Sequence, residues 1–168
     1  IVIDGEIDED IYTYLCDVCR QNKKMMLVRN RSNSGLSVCM NFVVDWTLSE
    51  YSDTKYFFRM DADDISEKDR FASQINYLNK HQNVSILGCA LKEINENGLI
   101  VGKRKLPVKH GDIIKFLPKR CSINHPTVAI RFNVFKDGFR YNKALRNTQD
   151  YFLWIELAGA GYQFANLR

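Results

Sequence analysis

The chain has 168 residues, enough for one domain with its own core, and 45% hydrophobic and 26% charged residues exclude a disordered or collagen-like chain. No apolar run approaches the roughly 18 residues of a bilayer-spanning helix. The net charge of +4 hides an uneven split, because residues 1–100 balance at −5 and residues 101–146 at +10. A basic second half suits an anionic partner such as phosphate or a membrane surface, or is simply a solvated face. Nucleic acid is not among the expected partners, since no RNA-recognition, homeodomain or zinc-finger pattern accompanies the charges.

Ile1 to Ile3 reads as a short buried strand ending at Asp4-Gly5. Asp8 is placed as a helix N-cap, with Glu9 and Asp10 in a first turn that favours negative charge, and Ile11, Leu15 and Val18 recur at helical spacing to Asn22. Met25 to Val28 is expected as a strand, Arg29 to Gly35 as a polar loop and Leu36 to Leu48 as a helix. Tyr56-Phe57-Phe58 is a strong strand signal that runs into Arg59-Met60-Asp61-Ala62-Asp63-Asp64. Ser66, with Asp69 three residues on, is expected to cap a helix carrying Phe71, Ile75 and Leu78.

Val84 to Ile94 and Leu99 to Leu106 flank Asn97-Gly98, a hairpin signal. A helix over Asp112 to Leu117, a strand over Pro126 to Ile130, a helix over Gln149 to Leu157 and a closing strand over Gln163 to Leu167 complete the reading. The first half therefore alternates strand and helix, which implies a parallel sheet with ligands at the C-terminal ends of its strands. The hairpin and later strands make the sheet mixed, within a single α/β domain over residues 1–168.

Cys16 and Cys19 form a CxxC, but it lies inside a helical pattern with no second pair, so neither a thioredoxin-type nor a zinc reading fits. The five cysteines read as reduced thiols of a cytoplasmic protein. Asp61, Asp63 and Asp64 are the sharpest feature. Carboxylates this close repel unless they are solvated or balanced by a cation, and hard oxygen ligands at a strand end suit Mg²⁺ or Mn²⁺ together with substrate phosphates. A helix-capping acidic turn is the plain alternative. An EF-hand fails because Ser66 and Ala72 stand where Gly and Glu are required, and neither a P-loop nor a GxGxxG is present.

The run YFFRMDADDISEKDRFASQINYLNKHQNVSILG resembles the DxD region of inverting GT-A glycosyltransferases of family 2. IVIDG (1–5), NSGLSVCMN (33–41), HPTVAIR (125–131), TQDYFLW (148–154) and GYQFANL (161–167) resemble further segments of that family, in order along the chain. The resemblance implies a GT-A fold, Rossmann-like, with a mixed, mainly parallel sheet flanked by helices. It also implies that the family's first strand-helix unit belongs before Ile1, so that the sheet here lacks it.

In residue terms the resemblance implies that Asp4 contacts the nucleotide base, Asp61 lies near the ribose and shares the metal, and Asp63 ligates the metal, with Asp64 in support. Asp150 is implied as the general base on the acceptor hydroxyl, and His125 as a residue of the phosphate or acceptor cleft. The implied cofactors are a divalent cation (Mn or Mg) and a nucleotide-sugar donor, UDP-sugars foremost. The implied acceptor is a saccharide or lipid-linked saccharide in bacterial surface polysaccharide synthesis, with the protein cytoplasmic or peripheral at the inner membrane face. Plainer roles stand beside these: Asp4 as a turn residue, Asp150 as a helix-start acid, His125 as a packing histidine and Trp154 as core. The family's Glu before the base is Gln149 here, and Phe152 stands where an Asp is common. Two further readings remain open: a nucleotide-sugar-binding domain without turnover, and a haloacid-dehalogenase-type phosphotransferase using Asp61.

Overall fold

The computed structural model describes residues 1–168. Strand β1 (Val2–Asp4) ends where Gly5 turns the chain at φ +113°, a conformation that side chains resist. Asp8 caps helix α1 (Glu9–Gln21) as expected, accepting from the N–H groups of Asp10 at 2.9 Å and Ile11 at 3.3 Å. Strand β2 is Val28–Asn30 rather than 25–28, because the N–H of Met25 closes a turn onto the Asn22 carbonyl at 2.8 Å and delays the extended segment. Helix α2 (Leu36–Glu50) and strand β3 (Tyr56–Phe58) lie where the pattern placed them.

Helix α3 begins only at Arg70 and runs to Lys80. The expected Ser66 cap does not form: its hydroxyl turns to the Glu67 carbonyl at 3.4 Å. Arg70 is tied back to the Arg59 carbonyl at 2.6 Å, which fixes where the helix can start.

Strand β4 (Val84–Cys89) leaves the sheet at Ala90, and the chain continues into a separate hairpin of β5 (Leu91–Ile94) and β6 (Ile100–Arg104). The expected single strand over 84–94 is thus two strands. Helix α4 (His110–Phe116) follows, then a 3-10 turn over His125–Thr127. Pro126 has no N–H to give to a ladder, so strand β7 starts later, at Ala129, and runs to Arg131. A short helix α5 (Asn133–Lys136), helix α6 (Gln149–Gly159) and strand β8 (Gln163–Leu167) finish the chain.

The main sheet has the order β3-β7-β4-β8. β4 and β8 are parallel, and β7 is antiparallel to both β3 and β4, so β3, β4 and β8 run one way and β7 alone runs against them. β1 and β2 form a parallel pair of their own. Alternation along the central strands separates two cores. Ile86, Ile130 and Phe164 face a large cluster with Val44 of α2, Ile113 of α4 and Trp154 of α6. Leu87, Ala129 and Ala165 face Leu78 of α3, where the two alanines leave room for the helix.

The loop between α5 and α6 is secured to α2 by one side chain. Asn41, 2% exposed, donates from Nδ2 to the Tyr141 carbonyl at 2.8 Å and accepts from the Tyr141 N–H at 2.9 Å. Asn41→Leu leaves both buried backbone groups without partners, and should lower unfolding free energy by about 2–4 kcal/mol, read as a lower urea midpoint.

Candidate active site

Strand direction assembles the site. Because β7 runs against β3, the residues before β7 lie beside the residues after β3: Phe58 pairs with Ala129, and the Arg59 N–H donates to the Val128 carbonyl at 3.0 Å. The Asp61–Asp64 loop and the His125–Thr127 turn therefore share one sheet edge. The end of β4 joins them, since the Cys89 N–H donates to Thr127 Oγ1 at 2.9 Å. From below, the fully buried Gln74 of α3 donates to the carbonyls of Leu87 at 3.1 Å and Thr127 at 2.8 Å. Its Oε1 accepts from Arg70 Nε at 3.1 Å, and burial draws the Arg70 guanidinium below its ordinary value.

Arg59 is only 8% exposed, yet it carries a full charge. Its guanidinium donates to the Met60 carbonyl and to Asp61 Oδ1, while its Nε has no partner at all. Asp61 is thus oriented by a buried cation two residues before it. The Asp64 N–H closes a turn onto the Asp61 carbonyl at 3.2 Å. Asp63 and Asp64 are exposed, and neither carboxylate makes a hydrogen bond or ion pair. No group of three His, Cys, Asp or Glu side chains converges to cage a metal. The donor chemistry, two carboxylates two residues apart with Asp63 free, nonetheless fits a hard cation that completes its shell with phosphate oxygens and water.

His125 lies behind this loop, buried, with Nε2 3.0 Å from the Tyr141 hydroxyl and its ring edge-on to Trp154 at 6.1 Å between centroids. Burial pushes the imidazole down to about 4; the Asp150 charge works against that and the Arg59 charge with it. The same two charges act on Tyr141, whose phenol burial pushes well above its ordinary value. Asp61, Arg59, His125, Tyr141 and Asp150 therefore form one electrostatic neighbourhood. Asp150 stands in the first turn of α6, half-buried, with no hydrogen-bond partner within the chain. Thr148, just before α6, is the one residue other than glycine with positive φ (61°), a strained conformation for a β-branched side chain placed at the entry to the helix that carries Asp150. Cys89 is at the same edge, but burial pushes its thiol up to about 11, so it is no nucleophile at neutral pH.

Asp4 belongs to a neighbouring structure. Its Oδ1 accepts from Asn30 Nδ2 at 2.9 Å and the Ser34 N–H at 2.8 Å, and its Oδ2 from the Gly35 N–H at 2.8 Å. These bonds, Asn30 first, hold the carboxyl down at about 2. No hydrogen bond or ion pair joins Asp4 to Asp61, Asp63 or Asp150; the connection runs through α2, which starts at the loop Asp4 holds and reaches Tyr141 by Asn41. The residues that sequence reasoning missed are Arg59, Gln74, Tyr141 and Asn41. Arg59 had a signal, since a carboxylate cluster calls for a counter-charge and this arginine directly precedes it. Tyr141 had none, because only the tertiary fold brings it to His125.

A mixed α/β sheet flanked by helices, with an acidic loop at a strand end, is the GT-A class of fold. S. aureus TarS 1–349 superposes on it with a TM-score of 0.72 at 15% identity, over 99% of this chain and 47% of that one, which shows the fold alone. The Glycosyl transferase family 2 model matches residues 1–139, and the chain belongs to that family. An uncharacterized glycosyltransferase of Haemophilus influenzae is 33% identical over 99% of this chain and 60% of its own length. The amylovoran biosynthesis glycosyltransferase AmsE of Erwinia amylovora is 33% identical over 80% of this chain and 45% of its own. The UDP-Gal:alpha-D-GlcNAc-diphosphoundecaprenol beta-1,3-galactosyltransferase of Escherichia coli is 25% identical over the full chain and 58% of its own length. The chain thus spans about half of each of these relatives. The matching family is a glycosyltransferase family, not the haloacid-dehalogenase one.

The depressed His125 makes stability pH-dependent with a definite sign. As pH falls past the ordinary 6.5 the unfolded chain takes up a proton that the folded chain refuses until about 4, so this group's contribution is lost on acidification across that window. Urea unfolding from pH 7 to pH 4 should show wild type losing stability more steeply than His125→Asn, by a difference approaching about 1.4 kcal/mol per pH unit. Parallel pH profiles for the two proteins would refute the assignment.

Proposed function

We propose that the domain performs metal-dependent, inverting transfer of a sugar from a nucleotide-sugar donor, UDP-sugars foremost, to a hydroxyl of a saccharide or lipid-linked saccharide. The observation that supports this reading is the Arg59-held Asp61 loop lying on the same sheet edge as the His125 turn, with His125 bonded to Tyr141 and within reach of the Asp150 charge. The named roles of two relatives, in amylovoran synthesis and in galactose transfer to a diphosphoundecaprenol-linked sugar, favour surface polysaccharide assembly. No helix of the chain is long and apolar enough to cross a membrane.

Each residue has a task in a single displacement. Asp150, unpaired within the chain, takes the proton of the acceptor hydroxyl as that oxygen forms a bond to the anomeric carbon. The bond from the anomeric carbon to the diphosphate oxygen breaks, and the leaving diphosphate keeps the electron pair, so the anomeric centre inverts. Asp63 and Asp61, with Asp64 in support, would hold a divalent cation, which would supply charge neutralisation for that leaving group. Arg59 holds Asp61 by its Oδ1. His125 and Tyr141 are buried behind the acidic loop as uncharged hydrogen-bonding groups. Asp4 is assigned to the nucleotide base; its carboxylate is held by Asn30, Ser34 and Gly35, with the Cys39 thiol against it as well.

The roles separate in two variants. Titration calorimetry of the full-length protein with Mn²⁺ and a panel of UDP-, GDP- and dTDP-sugars should show metal-dependent binding of one donor, and Asp63→Asn should weaken it at least about tenfold. Asp150→Asn should retain donor binding while kcat for transfer falls by about 10²–10⁴-fold. Metal-independent binding of every donor, or full turnover by Asp150→Asn, would refute this reading.

A further inference from the structure

The β5–β6 hairpin is unlike the rest of the fold. It is a two-stranded ribbon outside the main sheet, joined to it at Ala90, whose N–H donates to the Leu167 carbonyl at 2.9 Å. A ribbon of this kind ordinarily needs a helix or further strands against one face. Here Leu99, Ile100 and Val101 are 64%, 55% and 66% exposed, and Ile94 opposite them is 45% exposed. The register shifts between Glu93 and Ile94, so that β6 carries an extra residue there and both Ile100 and Val101 lie next to Ile94. The result is one continuous apolar tip rather than scattered side chains.

The tip is rigid. Asn95 Oδ1 accepts from the N–H groups of Asn97 and Leu99, each at 3.0 Å, and the Asn95 backbone pairs with Leu99 at 3.0 Å. Its charge is one-sided. Arg104 is paired with Glu93, and Lys92 with Glu67, but Lys103, Lys105 and Lys109 are exposed and have no acidic partner, with Glu96 the single unpaired acid. Apolar side chains at the end of an ordered hairpin, with unpaired lysines at its base, complement a surface that is apolar within and anionic at its boundary.

We propose that this hairpin docks the domain onto an anionic lipid surface, with Leu99, Ile100 and Val101 entering the acyl boundary and Lys103 and Lys105 meeting the headgroups. The geometry also gives the docking a direction. The Lys92–Glu67 ion pair, at 2.9 Å, links the hairpin to the loop that carries Asp61 and Asp63, on which Ile65 is 81% exposed. Docking by the hairpin therefore brings that loop, and with it the candidate site, toward the lipid. The surface itself is argued from the hairpin alone; only its use in presenting a lipid-linked acceptor rests on the transfer reading.

The test is co-sedimentation of the full-length protein with vesicles of phosphatidylcholine, alone or with about 30 mol% phosphatidylglycerol. Wild type should partition at least about tenfold better onto the anionic vesicles and be released by salt. Joint Leu99→Ser, Ile100→Ser and Val101→Ser substitutions, and separately Lys103→Gln with Lys105→Gln, should each reduce binding by about tenfold while donor affinity by calorimetry stays unchanged. These side chains are solvent-facing, so folding is retained, and circular dichroism verifies it. No preference of wild type for anionic vesicles, or variants that bind them like wild type, would overturn the proposal. Triple substitution that only dissolves a dimer, without altering vesicle binding, would likewise overturn it and assign the tip to a second copy. Vesicle binding without donor binding, or the reverse, separates failure of this proposal from failure of the transfer reading.

Discussion

Three carboxylates within four residues, Asp61, Asp63 and Asp64, load the end of β3 with charge that a fold retains only by solvating it or by placing a cation against it. This chain does both. Asp63 and Asp64 face water, and Asp61 is held by Arg59. Burying that arginine is costly unless its donors are used, and the protein spends a backbone carbonyl, Met60, on it while leaving Nε without a partner. The surrounding architecture follows from keeping this pair in place. Arg70 fastens the Arg59 carbonyl, Gln74 fastens Arg70, and the same Gln74 stitches β4 to the turn before β7. Helix α3 is therefore as much a clamp on the acidic loop as a cover for the sheet.

A second line of polar contacts serves the other side of the site. Asp4 secures the loop that leads into α2, Asn41 of α2 secures the backbone of Tyr141, and the Tyr141 hydroxyl meets His125. Ser37, one turn before Asn41, adds a bond to the Leu145 carbonyl at 3.2 Å. The segment between α5 and α6 is irregular, so these tethers rather than a ladder set its position. They also govern where α6 begins, and hence where Asp150 stands. The strain at Thr148 is consistent with a helix start dictated by tertiary contacts instead of by local preference.

The elements most legible in the sequence are those whose local chemistry and tertiary role agree. Asp8 caps α1, Asn97-Gly98 turns the hairpin, and Tyr56–Phe58 is a strand, because nothing elsewhere in the fold competes with those preferences. Ser66 misleads since Arg70 is anchored from outside the segment, and Pro126 shifts the start of β7 by denying it a donor. The acidic loop was legible as a cluster needing compensation, and its partner arginine sat in plain view beside it. Tyr141 was not legible, and Asn41 only as the end of the NSGLSVCMN segment, because their significance comes from contacts across 16 and 100 residues. The exposed hairpin tip was likewise invisible to pattern: alternating apolar residues beside a turn promise a covered face, and only the fold shows that nothing covers it.

Burial assigns the site its polarity. His125 is held neutral at physiological pH, the Tyr141 phenol keeps its proton, and the Cys89 thiol is pushed up to about 11. These three groups near the acidic loop are thereby kept uncharged. What remains is a cation, Arg59, on the side of the acidic loop, and a carboxylate, Asp150, on the side of α6. The two act on His125 with opposite sign. In the proposed transfer, negative charge developing near the acidic loop would meet the Arg59–Asp61 pair, and a proton released near α6 would meet Asp150. A protonated His125 would bring a second positive charge close to Arg59, and burial between Tyr141 and Trp154 disfavours that form.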